Sequence, residues 1–164
     1  MFDLDEFVAN CQAALVAADT TAQIEALVAD AITDPKALRS AFDARVTGSS
    51  ISDRAVYRSE ELTVLDVSTP VGMKTPAHNH NMWAVIGVYD GEEQNVFYKE
   101  VDGKPEASGE RLLRTGEIAL LDEKTIHAIS NPLARKSYAI HVYGGDLVNR
   151  AGRSMWNPTT QIRE

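Results

Sequence analysis

The sequence predicts a mainly β protein, an antiparallel barrel or jelly roll with helices packed ahead of it. Three observations point there. Short runs rich in β-branched and aromatic residues recur from about residue 54 onward. Turn pairs break them at Asp90-Gly91, Asp102-Gly103, Thr115-Gly116 and Asn131-Pro132. Residues 1–47, by contrast, space their apolar side chains at helical intervals.

In chain order, Leu4, Phe7, Val8, Cys11 and Leu15 share one helical face behind a cap at Asp3. Thr20 and Gln23 have capping-box spacing ahead of Ile24, Leu27 and Val28. Asp34-Pro35 pairs a cap with a first-position proline, and Leu38, Ala41 and Phe42 follow on one face. Residues 48–52 read as a loop. Strands are expected over 55–58, 62–68, 83–89, 95–100, 110–113, 117–121, 127–131 and 137–143. Short strands at this spacing form an antiparallel barrel or jelly roll. The polar tail beyond Gly144-Gly145 is expected to wrap the surface. The chain 1–164 thus reads as a single domain: a helical segment over 1–47, a barrel over 54–146 and a tail over 147–164.

Composition limits the partners. A chain of 164 residues with 44% hydrophobic content can bury a core. A formal charge of -8 argues against nucleic acid, whose phosphates need a basic surface. No basic amphipathic stretch suggests a membrane surface, and no apolar run approaches the ~20 residues of a spanning helix. The acidic N-terminus lacks a signal-peptide pattern. The lone Cys11 cannot form an internal disulfide. A cytoplasmic protein is expected.

Three of the four histidines carry the chemistry. Residues two apart on a strand point the same way, so His78 and His80 share a face. His127, from another strand, can join them around a transition metal.

The surrounding spacing resembles the two sequence motifs of the cupin superfamily, whose fold is the double-stranded β-helix. The first motif matches at Gly72, His78, His80 and Gly91; the second matches at Gly116, His127 and Asn131. Ala84 stands where the first motif has a glutamate, and Asp122 and Lys124 replace a proline and a glycine of the second. Three neutral imidazoles leave a divalent metal its full charge, which favours an anionic ligand such as a thiolate or carboxylate.

A three-histidine set resembles the thiol dioxygenase branch of cupins, the cysteine dioxygenase-like proteins of bacterial type. That resemblance implies Fe(II), O₂ and a small carboxylated thiol, of the cysteine or 3-mercaptopropionate type, oxidised to its sulfinate. Ala139-Ile140-His141-Val142-Tyr143 is similar to that branch's Ser-x-His-x-Tyr triad. It implies Tyr143 beside the iron with His141 behind it, and Ala139 in the serine position. The crosslinking cysteine of some members is absent: Val85 is near its position and Cys11 is remote. The branch also holds the substrate carboxylate with a cation, for which Arg58 is the candidate.

Structural alternatives stand beside these roles. His141 could be a hydrogen-bonded core residue, Tyr143 a barrel filler and Arg58 a member of a surface ion pair. Competing functions are a metal-dependent dioxygenase, lyase or isomerase for a non-thiol anion, and a non-catalytic metal-binding cupin. Edge strands of such barrels can pair, which admits a homodimer.

Overall fold

The computed structural model describes residues 1–149 and 152–164. Three helices come first: α1 (Leu4–Ala14), α2 (Thr20–Ala31) and α3 (Pro35–Asp43), followed by the single turn α4 (Ile51–Arg54). Among the described residues nine strands follow: β1 (Ala55–Arg58), β2 (Thr63–Thr69), β3 (His78–Asn79), β4 (Ala84–Asp90), β5 (Glu92–Val101), β6 (Lys104–Arg114), β7 (Ile118–Leu121), β8 (Ile126–Ser130) and β9 (Ser137–Tyr143). They form two sheets, ordered β1-β2-β9-β4-β7 and β3-β8-β5-β6. All the strand pairings are antiparallel.

Each of the eight expected strands is present. β3 is additional, and at two residues it is too short to leave a periodic signal. β6 begins earlier than expected because its start, Lys104-Pro105-Glu106-Ala107-Ser108-Gly109, lacks strand-forming residues. Pairing with β5 along its whole length overrides that composition.

The helix starts differ in one respect from the expectation. The Asp3 and Asp34 carboxylates cap α1 and α3 by accepting from the Glu6 and Ala37 amides. Thr20, however, is the first helical residue of α2 and not its cap. Its hydroxyl donates to the Ala17 carbonyl, and Gln23 Nε2 donates to Asp19 Oδ1. No capping box forms there. One forms instead at Ser50 and Asp53, which folds part of the expected 48–52 loop into α4.

The five-stranded sheet is buried on both faces. On the outer face Val64, Val85, Tyr89, Ile140 and Val142 pack against Phe7, Cys11, Ile24, Val28, Leu38 and Phe42 of the helices. Trp83 packs with this layer, on the side away from the histidines. Gly87 makes the close approach possible: a Cβ there would meet Val28 at 2.5 Å and Ile32 at 3.0 Å. Asp66 of β2 is fully buried and accepts from Arg39 of α3 and Arg54 of α4, tying both helices to the sheet. On the inner face Leu65, Ala84, Ile86, Val88 and Ala139 meet Leu113 of β6 in the barrel interior.

The tail does more than wrap the surface. Leu147, Ser154 and Trp156 are buried. Trp156 donates its indole N–H to the Gly103 carbonyl and its amide to the Ala77 carbonyl. Burying that indole draws residues 152–156 back over β3. Among the described residues no helix is long and apolar enough to cross a membrane.

Candidate metal centre

The first two histidines arrive on a short, braced segment. β3 pairs antiparallel with β8, which sets His78 directly opposite His127. Asn79 points to the other side, where its amide N–H donates to the Ser154 carbonyl and its Oδ1 accepts from the Ser154 amide. His80 follows one residue later on the His78 side. The three ring centroids are 4.7, 4.9 and 5.1 Å apart. One nitrogen of each ring lies within 4.8 Å of the other two, so the three are positioned to bind a metal. Gly72, Gly91 and Gly116 of the two motifs all turn the chain with positive φ.

The donor chemistry fits a transition metal. Desolvation depresses the pKa of His78, His80 and His127, and for His80 the neighbouring His78 and His127 add to it. The rings are therefore kept neutral, the form that binds metal. Two of them are also oriented. His78 Nδ1–H donates to the Pro76 carbonyl at 2.9 Å, and His127 Nδ1–H donates to Asn95 Oδ1 at 2.8 Å. Both leave Nε2 as the free lone pair. Among the described residues, His127 Nε2 is the one buried side-chain nitrogen or oxygen without a hydrogen-bond partner. An orphan of that kind costs ~1–3 kcal/mol, which a bound metal would offset.

Among the described residues no carboxylate joins the set. Ala84 is fully buried, faces the barrel interior and pairs with Tyr143 across the β4–β9 ladder. It stands where the resemblance to the first motif led a glutamate to be expected.

The triad segment alternates as the period-2 rule requires. Ile140 and Val142 face the helices, while Ala139 and Tyr143 face the interior. The Tyr143 ring stacks edge-on against His80 with centroids 5.0 Å apart. Burial pushes its phenol pKa upward. Its hydroxyl is 3.0 Å from His141 Nδ1, and His141 Nε2 is 3.1 Å from Glu93 Oε2. Cys11 is buried in the helix-side layer with its thiol pushed up to about 12 by burial, and Val85 faces that layer too. Neither approaches Tyr143 from the interior.

His78, His80, His127, His141 and Tyr143 line one cavity of about 750 Å³. Arg58 does not line it. Its Nε and Nη2 pair with both Asp146 oxygens, at 2.7 and 2.9 Å, in the ion-pair arrangement common for exposed arginines. The cavity cations are instead Arg153 and Lys136, with Arg54 already held by Asp66. Arg153 is close enough to the site for its charge to contribute to the lowered pKa of His78 and His80. Asn131 is structural: its amide donates to the Thr69 and Arg135 carbonyls and braces the turn into β9.

Sequence reasoning missed Glu93, Asn95 and Arg153. Glu93 and Asn95 carried one signal: two polar residues two apart on β5, on the same face as the apolar Phe97.

No protein-family model matches the chain. Among solved structures, it is similar to a Klebsiella pneumoniae protein with a double-stranded β-helix domain. The two share 18% identity over 70% of this chain and 87% of that one, with a TM-score of 0.53. The fold is the double-stranded β-helix. Looser likenesses include an RmlC-like cupin family protein from Methanocaldococcus jannaschii, 16% identical over 58% of this chain and 80% of that chain, TM-score 0.46. DMSP lyase DddQ from Ruegeria pomeroyi is 19% identical over 70% of this chain and 57% of that one, TM-score 0.46. At such identities the likeness concerns the fold alone.

Proposed function

We propose that the chain is a non-heme iron dioxygenase that converts a small carboxylated thiol to its sulfinate with O₂. The observation that carries this reading is the donor set: three neutral imidazoles, with the Ala84 methyl where a carboxylate ligand would stand. Such a set leaves a divalent metal its full charge and favours a thiolate. His78, His80 and His127 would hold Fe(II), and the bound iron would supply the redox chemistry by which both atoms of O₂ reach the sulfur.

The other residues then have definite tasks. Tyr143, edge-on to His80 and hydrogen-bonded to His141, lines the same cavity and would hydrogen-bond a ligand held there. Arg153 takes the part first assigned to Arg58, holding the substrate carboxylate within the cavity. The thiol proton leaves on binding and no further reductant is consumed, since RS⁻ plus O₂ equals RSO₂⁻ in atoms and electrons. A second reading is metal-dependent chemistry on a non-thiol anion, favoured by Ala139 in place of the triad serine together with the cavity cations.

An oxygen-electrode screen of iron-loaded protein against small thiols separates the two. Oxygen uptake with a carboxylated thiol, lost in Arg153→Ala through a raised KM and retained in Arg58→Ala, supports the first reading. Iron-loaded protein that consumes no O₂ with any thiol, while carboxylates perturb its metal spectrum, supports the second.

A further inference from the structure

A buried hydrogen-bonded chain joins the two halves of the site, and one residue stands at its branch point. Tyr143, His141, Glu93, Asn95 and His127 are each no more than 4% exposed. Glu93 Oε1 accepts from Asn95 Nδ2 at 3.0 Å, and Glu93 Oε2 lies 3.1 Å from His141 Nε2. Asn95 Oδ1 in turn lies 2.8 Å from His127 Nδ1, and His141 Nδ1 lies 3.0 Å from the Tyr143 hydroxyl. Ala139 offers no hydroxyl to His141, so Glu93 is the partner of its outer nitrogen.

We propose that Glu93 is a positioning residue that sets the tautomers of both His127 and His141. A carboxylate only accepts hydrogen bonds, so both neighbours must turn donors toward it. On one branch this presents the Asn95 amide nitrogen to Glu93 and leaves Oδ1 for His127. His127 must then carry its hydrogen on Nδ1, which frees Nε2 toward His78 and His80. On the other branch His141 must carry a hydrogen on Nε2, and with the ring neutral Nδ1 then accepts from Tyr143. The tyrosine hydroxyl hydrogen is thereby committed to His141, and the phenol oxygen keeps a lone pair free to accept from another group. The logic matches that of a buried carboxylate orienting a histidine toward a hydroxyl in hydrolases.

Glutamine at this position keeps the shape and breaks the logic. Its amide has one acceptor end and one donor end, so only one branch can keep its direction. Metal on His127 holds the first branch in place, so the second must reverse: His141 moves its hydrogen to Nδ1 and Tyr143 becomes the acceptor. The inference rests on the metal reading for His127 and is independent of whether the substrate is a thiol.

The test is ¹⁵N NMR of the imidazole rings in zinc-free and Zn(II)-loaded protein, together with Zn(II) affinity, for wild type, Glu93→Gln and Asn95→Ala. Expected are His127 Nδ1–H and His141 Nε2–H in wild type, zinc-free included. Glu93→Gln loaded with Zn(II) should show His141 Nδ1–H, with affinity within about tenfold of wild type. Asn95→Ala should lose about 10–100-fold in affinity. The proposal is overturned by a wild-type His141 protonated on Nδ1 alone, or by a His141 tautomer unchanged in Glu93→Gln. Should Glu93→Gln not fold, the wild-type tautomers decide alone. Should wild type bind no Zn(II), the metal reading fails separately, and the zinc-free tautomers still test Glu93.

Discussion

The two faces of β9 divide the molecule's work. Ile140 and Val142 point outward into an apolar layer shared with the helices. Ala139, His141 and Tyr143 point inward toward the three histidines, where buried polar groups are paired in a chain. Both faces are almost fully buried. Burial alone therefore does not separate structure from chemistry in this fold; what separates them is whether the buried side chains could be exchanged for others of equal volume. The outer face needs volume and apolar surface. The inner face needs particular donors and acceptors at particular atoms.

Substitutions on the two faces should therefore fail in different ways. The largest effect is expected from His127→Ala on the inner face. It should abolish stoichiometric metal binding, a loss beyond the ~10–100-fold that removing a ligand's hydrogen-bond partner costs. Metal titration checks this, while circular dichroism should show the sheet retained. Next comes Ile140→Ala on the outer face. It should lower stability by ~2–5 kcal/mol in a urea titration yet leave metal affinity of the folded protein within about threefold. If Ile140→Ala weakened metal binding as strongly as His127→Ala, the division between the faces would be wrong.

Gly87→Val should cost ~1–3 kcal/mol, because its side chain would push α2 away from β4 at Val28 and Ile32. The smallest effect is a pH dependence confined to the inner face. Burial holds the folded pKa of His78, His80 and His127 below the unfolded value of ~6.5. Below that pH the unfolded chain takes up protons that the folded metal-free protein does not, so stability falls as pH drops. The slope is at most about 1.4 kcal/mol per pH unit for each histidine. His127→Gln should remove one such contribution between pH 6.5 and 5.5, whereas Ile140→Ala should leave the slope unchanged.

The same contrast explains what could be read from the sequence. β9 was legible because Ile140 and Val142 alternate with Ala139, His141 and Tyr143 in a β-rich run. The three histidines were legible because their spacing to Gly72, Gly91 and Gly116 is preserved. Glu93 and Asn95 were not, because alternating polar residues on a strand read as solvent-facing, and only the closed barrel turns that face inward. Arg58 lies outside the cavity lining because it pairs with Asp146, a partner too distant in sequence to be read from the strand pattern. Arg153 was invisible because its position depends on Trp156 pulling the tail back over β3, a contact between segments far apart in the chain.

The most direct measurement is product analysis of iron-loaded protein incubated with cysteine or 3-mercaptopropionate under ¹⁸O₂. Mass spectrometry should find a sulfinate carrying two labelled oxygen atoms, and none with His127→Ala. Stoichiometric iron with no labelled sulfinate from either thiol would contradict the account.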